Sequence, residues 1–177
     1  MLETASLPKP SVAVAANAAA RRLYLLFRIG GDRYALDAGD VIEVLGLRVF
    51  KQVPGAPSWV AGMLQWRGAA VPAIDMSALA GHADAARVTS TRLALVRYRA
   101  AGAAAEHVLG LILEQATETV HYDPAAFQPF ALDNANARYL GPVLNDGQGM
   151  VQAVGVNELL PPSVRAMLYP ADREITP

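Results

Sequence analysis

The sequence predicts an all-β fold, organised as small barrels or a sandwich, and three observations lead to this prediction. Apolar, β-branched and aromatic residues gather in short runs, which is the composition that strands favour. Glycine, proline, aspartate and asparagine separate these runs at short intervals, as turn residues do. About nine or ten such runs can be counted, and no long helical segments alternate with them as in a parallel α/β sheet.

The first half of the chain carries one clear hairpin and two further strands. Gly30-Gly31-Asp32 is a tight-turn sequence between two apolar runs, and Asp75 is a typical N-cap for a helical turn over residues 76–79. Pro72 indicates an edge strand or a bulge. Residues 59–66 are apolar but too few to assign by periodicity. The predicted strands are residues 23–29, 33–37, 41–45 and 69–75.

The second half has a similar texture, although no repeat aligns with the first half residue by residue. Asn145-Asp146-Gly147 joins the last two strands as a hairpin, and helical segments close the domain at residues 157–160 and 163–168. The predicted strands are residues 92–98, 107–114, 117–122, 139–144 and 150–156. The pattern favours two small barrels over one large barrel.

The composition fits one good core or two small ones and excludes several classes of site. A chain of 177 residues, 53% of them hydrophobic, can bury roughly 70% of its unfolded surface. Charged residues make up 18% of the chain, against about 25% in typical soluble domains. The net charge of −1 argues against nucleic-acid or anionic-membrane partners, which are held by an excess of Lys and Arg. The absence of cysteine removes disulfides, thiolate metal sites and thiol nucleophiles.

The predicted organisation is a flexible N-terminal tail at residues 1–21, a two-barrel domain at 22–168 and a C-terminal tail at 169–177. The first residues are acidic and interrupted by prolines, which does not fit a secretory signal. No later window holds about 18 consecutive apolar residues, as a membrane-spanning helix requires. The sequence therefore predicts a cytoplasmic protein without direct membrane insertion.

Catalytic and metal-binding motifs are missing from the sequence. His82, His107 and His121 lie too far apart for a short metal-binding spacing, and no G-x-S-x-G nucleophile turn occurs. His107 begins an apolar run and is predicted to be a half-exposed packing residue. We therefore expect no enzymatic activity, no metal and no cofactor. An enzyme would have to depend on an unrecognised site around Asp75 or His82.

A basic stretch leaves one alternative function open. Arg87, Arg92, Arg97 and Arg99 are predicted to lie on a solvated sheet face, because only Tyr98 alternates with them as an aromatic platform. The alternative is a stand-alone small barrel that binds a peptide or a nucleic acid through this stretch.

Two features do not fit a purely structural role. Glu43 is flanked by apolar residues on both sides, so its carboxylate needs water or a cation. Trp66 and Arg67 stand next to Gly68 in a short connector, and both residue types are enriched at the centres of protein interfaces. Considered alone, Arg67 fits a solvated connector charge equally well, and Trp66 fits a core residue equally well.

Several motifs follow one another with a recognisable spacing along residues 23–168. They are the hairpin over residues 25–36, Val41-x-Glu43-Val44, Val53-Pro54-Gly55, Gly62-x-x-x-x-Arg67-Gly68-x-x-Val71-Pro72-x-Ile74-Asp75, the run 108–114, Tyr139-Leu140-Gly141 and the closing run 156–160. In this order and spacing the sequence resembles the CheW-like chemotaxis coupling proteins.

This resemblance implies a fold of two SH3-like five-stranded β-barrels packed together, with short helical turns and a C-terminal helix. It implies a non-catalytic adaptor in two-component signal transduction, which bridges the cytoplasmic tip of a methyl-accepting chemoreceptor and the regulatory domain of a CheA-type histidine kinase. Recruitment to membrane receptor arrays would follow. By matching positions, a receptor-binding or inter-barrel groove is expected at Val41, Glu43, Gly62, Trp66, Arg67, Leu93 and Gly110.

The same resemblance implies roles for particular residues and shows one departure. Glu43 and Arg67 match a family pair of opposite charges thought to link the barrels, and Leu93 and Gly110 are expected on the second barrel near the same groove. The family usually has Asn-Leu before the Arg-Gly, where this chain has Gln65-Trp66. The departure predicts a divergent coupler from a dedicated pathway such as surface sensing or pilus motility.

Overall fold

The computed structural model describes residues 21–130 and 134–170, so residues 1–20 and 171–177 of the predicted tails lie outside the described residues and the tail boundaries stay predictions. The strands are β1 (Arg22–Ile29), β2 (Asp32–Asp37), β3 (Val41–Gly46), β4 (Val60–Trp66), β5 (Ala69–Asp75), β6 (Arg92–Tyr98), β7 (His107–Tyr122), β8 (Leu140–Asp146) and β9 (Gly149–Val154). The helices are α1 (Met76–Leu79) and α2 (Pro162–Leu168), with 3₁₀ turns at Pro124–Ala126 and Val156–Glu158. Neither helix of the described chain approaches the length of about 20 residues that crossing a bilayer takes.

The strands form two five-stranded units that share β7, which confirms the all-β prediction. In the terminal unit the strand order is β7-β1-β2-β9-β8, and in the central unit it is β3-β6-β7-β5-β4. Within the described residues no ladder joins β7 to β8 or β3 to β4. Isolated bridges pair the chain after β7 with β8, through Gln128 and Val143, and the chain after β3 with β4, through Lys51 and Met63. We call the gap between β3 and β4 the central seam.

The units do not follow the two halves of the sequence. The first and last strands of the domain meet in the terminal unit, because β2 pairs in parallel with β9. The middle strands form the central unit, where β5 pairs in parallel with the first part of β7. Parallel neighbours must be joined by long connections, so local turn signals do not reveal them.

Three apolar cores explain why several strands are almost continuously hydrophobic. Along β6, Leu93 and Leu95 point into the core of the central unit, whereas Ala94 and Val96 point into a core shared by both units. A separate core fills the terminal unit around Tyr24 and neighbouring side chains. Strands that are buried on both faces lose the alternation of polar and apolar residues. The three cores therefore use much of the hydrophobic excess of the chain.

Strand β7 is one 16-residue strand, where the sequence predicted two shorter strands. Its first part pairs with β6 in the central unit and its second part pairs with β1 in the terminal unit. Gln115 has a φ of 49°, and the register with β1 shifts between Leu26 and Arg28 at the same level. This bulge lets the strand change direction without ending.

The region around β5 follows the sequence prediction closely. Asp75 caps α1 as expected, with its Oδ1 accepting hydrogen bonds from the backbone N–H of Ser77 at 2.9 Å and of Ala78 at 3.2 Å. Its Oδ2 accepts from the N–H of Ala85 at 2.8 Å, which holds the following loop. The prediction of an edge strand at Pro72 is wrong, because β5 pairs with both β4 and β7. Pro72 itself pairs only with β4, since the ladder with β7 begins at Ala73, and its missing N–H is tolerated there.

Candidate functional site

The turn between β4 and β5 holds the arginine that the sequence singled out. Trp66 pairs with Ala69, so Arg67 and Gly68 form a two-residue hairpin turn, with φ angles of 50° and 80°. Such turns strongly favour Asn or Gly at the first position, because side chains rarely adopt a positive φ. Arg67 therefore adopts a backbone conformation that is uncommon for an arginine, which makes its side-chain contacts worth describing.

The side chains of Glu43, Trp66 and Arg67 form a cluster across the central seam, which we call the Glu43 cluster. The indole Nε1 of Trp66 donates a hydrogen bond to Glu43 Oε2 at 3.0 Å. The guanidinium Nη2 of Arg67 donates to the same oxygen at 3.4 Å. The Cζ atom of Arg67 also lies 4.5 Å from the centroid of the Trp66 ring, in cation–π contact. The carboxylate of Glu43 thus accepts hydrogen bonds from both the indole of Trp66 and the exposed guanidinium of Arg67.

The ion pair in this cluster is an exposed one. The side chain of Arg67 is 69% exposed and that of Glu43 is 36% exposed. A pair of this kind contributes about 0–1 kcal/mol to stability, against about 3–5 kcal/mol for losing one partner of a buried pair. The shorter bond from the half-buried Trp66 is therefore the main restraint on Glu43, and Arg67 keeps donors that face solvent.

The expectation that Glu43 and Arg67 link the two barrels is wrong. Both residues belong to the central unit, Glu43 on β3 and Arg67 directly after β4. These strands stand at opposite ends of the strand order in that unit, and the cluster connects them across the central seam. The contact between the two units is made by the shared apolar core instead.

Leu93 and Gly110 were expected on the second barrel near the groove, and this is also wrong. They lie on β6 and β7 of the same central unit, and both are buried. A Cβ atom added at Gly110 would come within 3.0 Å of Leu93 Cδ1 and of Ala73 Cβ. The two residues pack under the surface and do not offer atoms to a partner.

The remaining predicted residues, Val41 and Gly62, support the site from its edges. Val41 is half-buried and packs against the shared core, and the register of β3 shifts between it and Glu43. Gly62 has a φ of 131°, and a Cβ atom there would collide with the carbonyl oxygen of Lys51. This close approach lets Met63 exchange two backbone hydrogen bonds with Lys51, each 2.8 Å long.

A groove beside the cluster was missed by the sequence reasoning. We call it the seam groove; it has a volume of about 650 Å³, and its walls include Leu45, Arg48, Val49, Lys51, Met63 and Trp66. Val49 is 90% exposed, although it is a large apolar residue. The signal available in the sequence was the mixture of apolar and basic residues from Leu47 to Lys51.

Several of the other candidate residues have structural partners. In the basic stretch, Arg97 donates to the carbonyl of Gly39 at 2.9 Å, and Arg99 pairs with Glu106 at 3.3 Å. The imidazole of His107 is half-buried and stacks on a tyrosine ring with centroids 4.2 Å apart. Asp75 uses both carboxylate oxygens to hold backbone N–H groups. These contacts favour structural roles for the residues concerned.

The chain was compared with known families, proteins and structures. The family model described as the CheW-like domain matches residues 23–162. Protein FrzA of Myxococcus xanthus is 31% identical over 104 residues, which cover 58% of this chain and 65% of that protein. Protein PilI of Pseudomonas aeruginosa is 29% identical over 118 residues, covering 59% and 61% respectively. Chemotaxis protein CheW of Rhizobium meliloti is 27% identical over 108 residues, covering 61% and 66%.

The chain therefore spans slightly less than two thirds of the length of these relatives. Among solved structures, the scaffolding protein TtCheW from Thermoanaerobacter tengcongensis superposes with a TM-score of 0.70 at 20% sequence identity. The match covers 81% of this chain and 90% of that structure, which confirms the fold. Since the family model covers most of the chain, this protein belongs to the CheW-like domain family.

Proposed function

We propose that the chain is a non-catalytic cytoplasmic adaptor, which couples methyl-accepting chemoreceptors to a CheA-type histidine kinase. The observation that carries the proposal is the Glu43 cluster, because an arginine is held in an unfavourable backbone conformation and stacked on an indole at an exposed turn. Such an arrangement presents a guanidinium to a partner. Family membership supplies the class of partner.

Coupling needs no covalent chemistry. Receptor binds at the central unit around the Glu43 cluster, and kinase binds a different surface of the chain. The shared core and the continuous strand β7 connect both units, so a displacement in one unit changes the packing of the other. The coupling free energy between two such sites is typically about 1–3 kcal/mol.

We propose that the chain acts in a dedicated pathway, such as surface sensing or pilus motility. The support is Trp66, which replaces the usual leucine with a side chain that both binds Glu43 and lines the seam groove. The three curated relatives have similar identities, 31%, 29% and 27%, and the one named a chemotaxis protein is not favoured among them.

The direct test is affinity capture with the full chain from a bacterial lysate, followed by identification of the bound proteins. Recovery of both a methyl-accepting receptor and a histidine kinase is expected. Recovery of neither would overturn the proposal.

A double-mutant cycle on receptor binding then tests the cluster itself. Glu43→Ala and Arg67→Ala should each weaken binding, and the double variant should lose less than the sum, because the side chains act together. The matched control is the exposed pair of Arg22 and Asp37 in the terminal unit, whose charged atoms are 3.3 Å apart. Additive losses at Glu43 and Arg67, or equal losses at the control pair, would contradict a joint role.

A further inference from the structure

The proposed function leaves out a cleft that lies where the two units meet. We call it the junction cleft; it has a volume of about 540 Å³ and shares no lining residue with the seam groove. Leu79 of α1 lines it beside the central unit, and Tyr139, directly before β8, lines it beside the terminal unit. Small-molecule sites typically have volumes of about 300–1,000 Å³ and often lie between domains. The junction cleft therefore has the size and the place of a ligand site.

The floor of the junction cleft is apolar. It consists of buried members of the shared core, namely Ala100, Tyr139, Leu159 and Leu160. Pro161 and Pro162 form part of the wall. A proline ring fixes φ and removes the backbone N–H, so this part of the wall is stiff and has no backbone donor to satisfy. The cleft therefore offers a preformed apolar surface to the body of a ligand.

Two arginines on the rim of the junction cleft have no partner. Arg138 is exposed and Arg165 is half-buried, and neither guanidinium forms a hydrogen bond or an ion pair with a residue that the structure describes. Glu158 is the one acidic residue among the described lining residues, so the cleft keeps a net positive charge. A half-buried guanidinium without an acceptor is unfavourable, and an anion in the cleft would supply that acceptor.

A side-chain amide adds a further donor at the same rim. The Oδ1 atom of Asn157 accepts a hydrogen bond from the backbone N–H of Arg99 at 2.9 Å. This bond orients the side chain and leaves its NH₂ group free to donate. Asn157 lines the junction cleft together with the two arginines, so the polar groups at the rim favour a ligand that accepts hydrogen bonds.

We propose that the junction cleft binds a small organic anion with an apolar body. The apolar body packs on the floor, and the acidic group pairs with Arg138 and Arg165. A ligand in this position contacts the core that connects the two units, which gives a small molecule access to the coupling between them. The proposal does not rest on the adaptor function, since a chain that captures neither receptor nor kinase would still bind the anion.

Two dyes that differ only in an acidic group test the junction cleft directly. Anilinonaphthalene sulfonate carries a sulfonate, and phenylnaphthylamine has the same aromatic body without it. Both dyes fluoresce strongly when they leave water for an apolar site, so titration with the full chain measures their affinities. We expect the sulfonate dye to bind, with an affinity that falls as salt is added. Absence of binding, or an affinity for the sulfonate dye that does not depend on salt, would overturn the proposal.

Removal of the two rim charges locates the binding. The double variant Arg138→Gln with Arg165→Gln should weaken the sulfonate dye at least tenfold and leave the affinity for the neutral dye within about twofold. The matched control is Arg48→Gln with Lys51→Gln, which removes two exposed cations that line the seam groove. This control should leave both affinities unchanged. An affinity for the sulfonate dye that survives the loss of Arg138 and Arg165, or that falls equally in the control, contradicts the assignment.

Two single variants test the charge and the space of the junction cleft separately. Glu158→Gln removes the acidic residue of the lining and should raise the affinity for the sulfonate dye at least twofold, with no effect on the neutral dye. Ala101→Trp places a large side chain at an exposed position of the lining and should weaken both dyes at least tenfold. Circular dichroism of each variant checks the fold. Binding of the sulfonate dye to a folded Ala101→Trp variant with wild-type affinity would overturn the proposal, because the dye would then occupy another site.

Discussion

The terminal unit contains a carboxylate whose removal should destabilise the fold in a pH-dependent way. Asp146 accepts two hydrogen bonds from Arg33, at 2.8 and 3.0 Å, and a third from the hydroxyl of Tyr122 at 2.7 Å. The backbone N–H of Gln148 donates a fourth at 2.9 Å. The side chains of Arg33 and Asp146 are only 13% and 22% exposed. The change to make is Asp146→Asn, which turns one acceptor into a donor.

The expected loss follows from this geometry. An exposed ion pair is worth about 0–1 kcal/mol, and removing one partner of a buried pair costs about 3–5 kcal/mol. The Asp146 pair is mostly buried and bidentate but reaches solvent, so Asp146→Asn should lower the free energy of unfolding by about 2–3 kcal/mol at neutral pH. Urea denaturation followed by circular dichroism measures this loss.

The pH dependence gives the reasoning a second test. Hydrogen bonds from Arg33 hold the pKa of Asp146 well below its ordinary value, and the bond from Tyr122 lowers it further. A carboxyl with a depressed folded-state pKa stabilises fully above its unfolded pKa, which is about 3.9, and loses this contribution as the pH falls below that value. The difference between wild type and Asp146→Asn should therefore shrink between about pH 5 and pH 2.

Two results would refute this account. A loss below about 1 kcal/mol at neutral pH would show that the pair behaves as an exposed one. A difference between the two proteins that stays constant in acid would show that the Asp146 carboxylate is not the group responsible.

Three further predictions concern the central unit. Arg67→Asn should weaken receptor binding but change the free energy of unfolding by less than about 1 kcal/mol, because Asn tolerates the positive φ and the lost ion pair is exposed. A loss of unfolding free energy above about 3 kcal/mol would make Arg67 a structural residue. Gly62→Ala should lower the thermal midpoint, since the added Cβ collides with Lys51; an unchanged midpoint would contradict the close approach. Leu93→Ala should cost about 2–5 kcal/mol in urea denaturation, as expected for a fully buried leucine, and a smaller loss would place Leu93 outside the core.

Features that depend on local chemistry could be predicted from the sequence. Gly30 and Gly31 together with Asp32 predicted the first hairpin, which the structure confirms, and Asp75 was recognised as a helix cap. These signals succeed because a turn or a cap is decided by a few adjacent residues. The continuity of β7 was not predicted. The strand continues through a bulge at Gln115, and glutamine is not a residue type that indicates a positive φ.

The candidate site could be predicted only in part, for a related reason. The pairing of Glu43 with Arg67, which the family resemblance implied, is confirmed. The indole of Trp66 was considered as a core residue or an interface residue, and its hydrogen bond to Glu43 was not expected. The arrangement depends on how β3 and β4 face each other across the central seam, and that follows from the interleaved strand order.

Each unit has a cluster of a carboxylate, an aromatic residue and an arginine between its end strands, but the two clusters differ in burial. In each unit the two end strands lack a ladder, and a carboxylate on one of them accepts hydrogen bonds from an aromatic residue on the other and from an arginine. In the terminal unit Asp146 on β8 accepts from Tyr122 on β7 and from Arg33 on β2. In the central unit Glu43 on β3 accepts from Trp66 on β4 and from Arg67 directly after β4. Arg33 donates hydrogen bonds to Asp146 from two nitrogens, and its side chain is 13% exposed. Arg67 donates to Glu43 from one nitrogen, and its side chain is 69% exposed. A cluster that served stability alone would gain from the first arrangement. The second leaves the guanidinium of Arg67 exposed and able to donate further hydrogen bonds, and the proposed receptor contact depends on this feature.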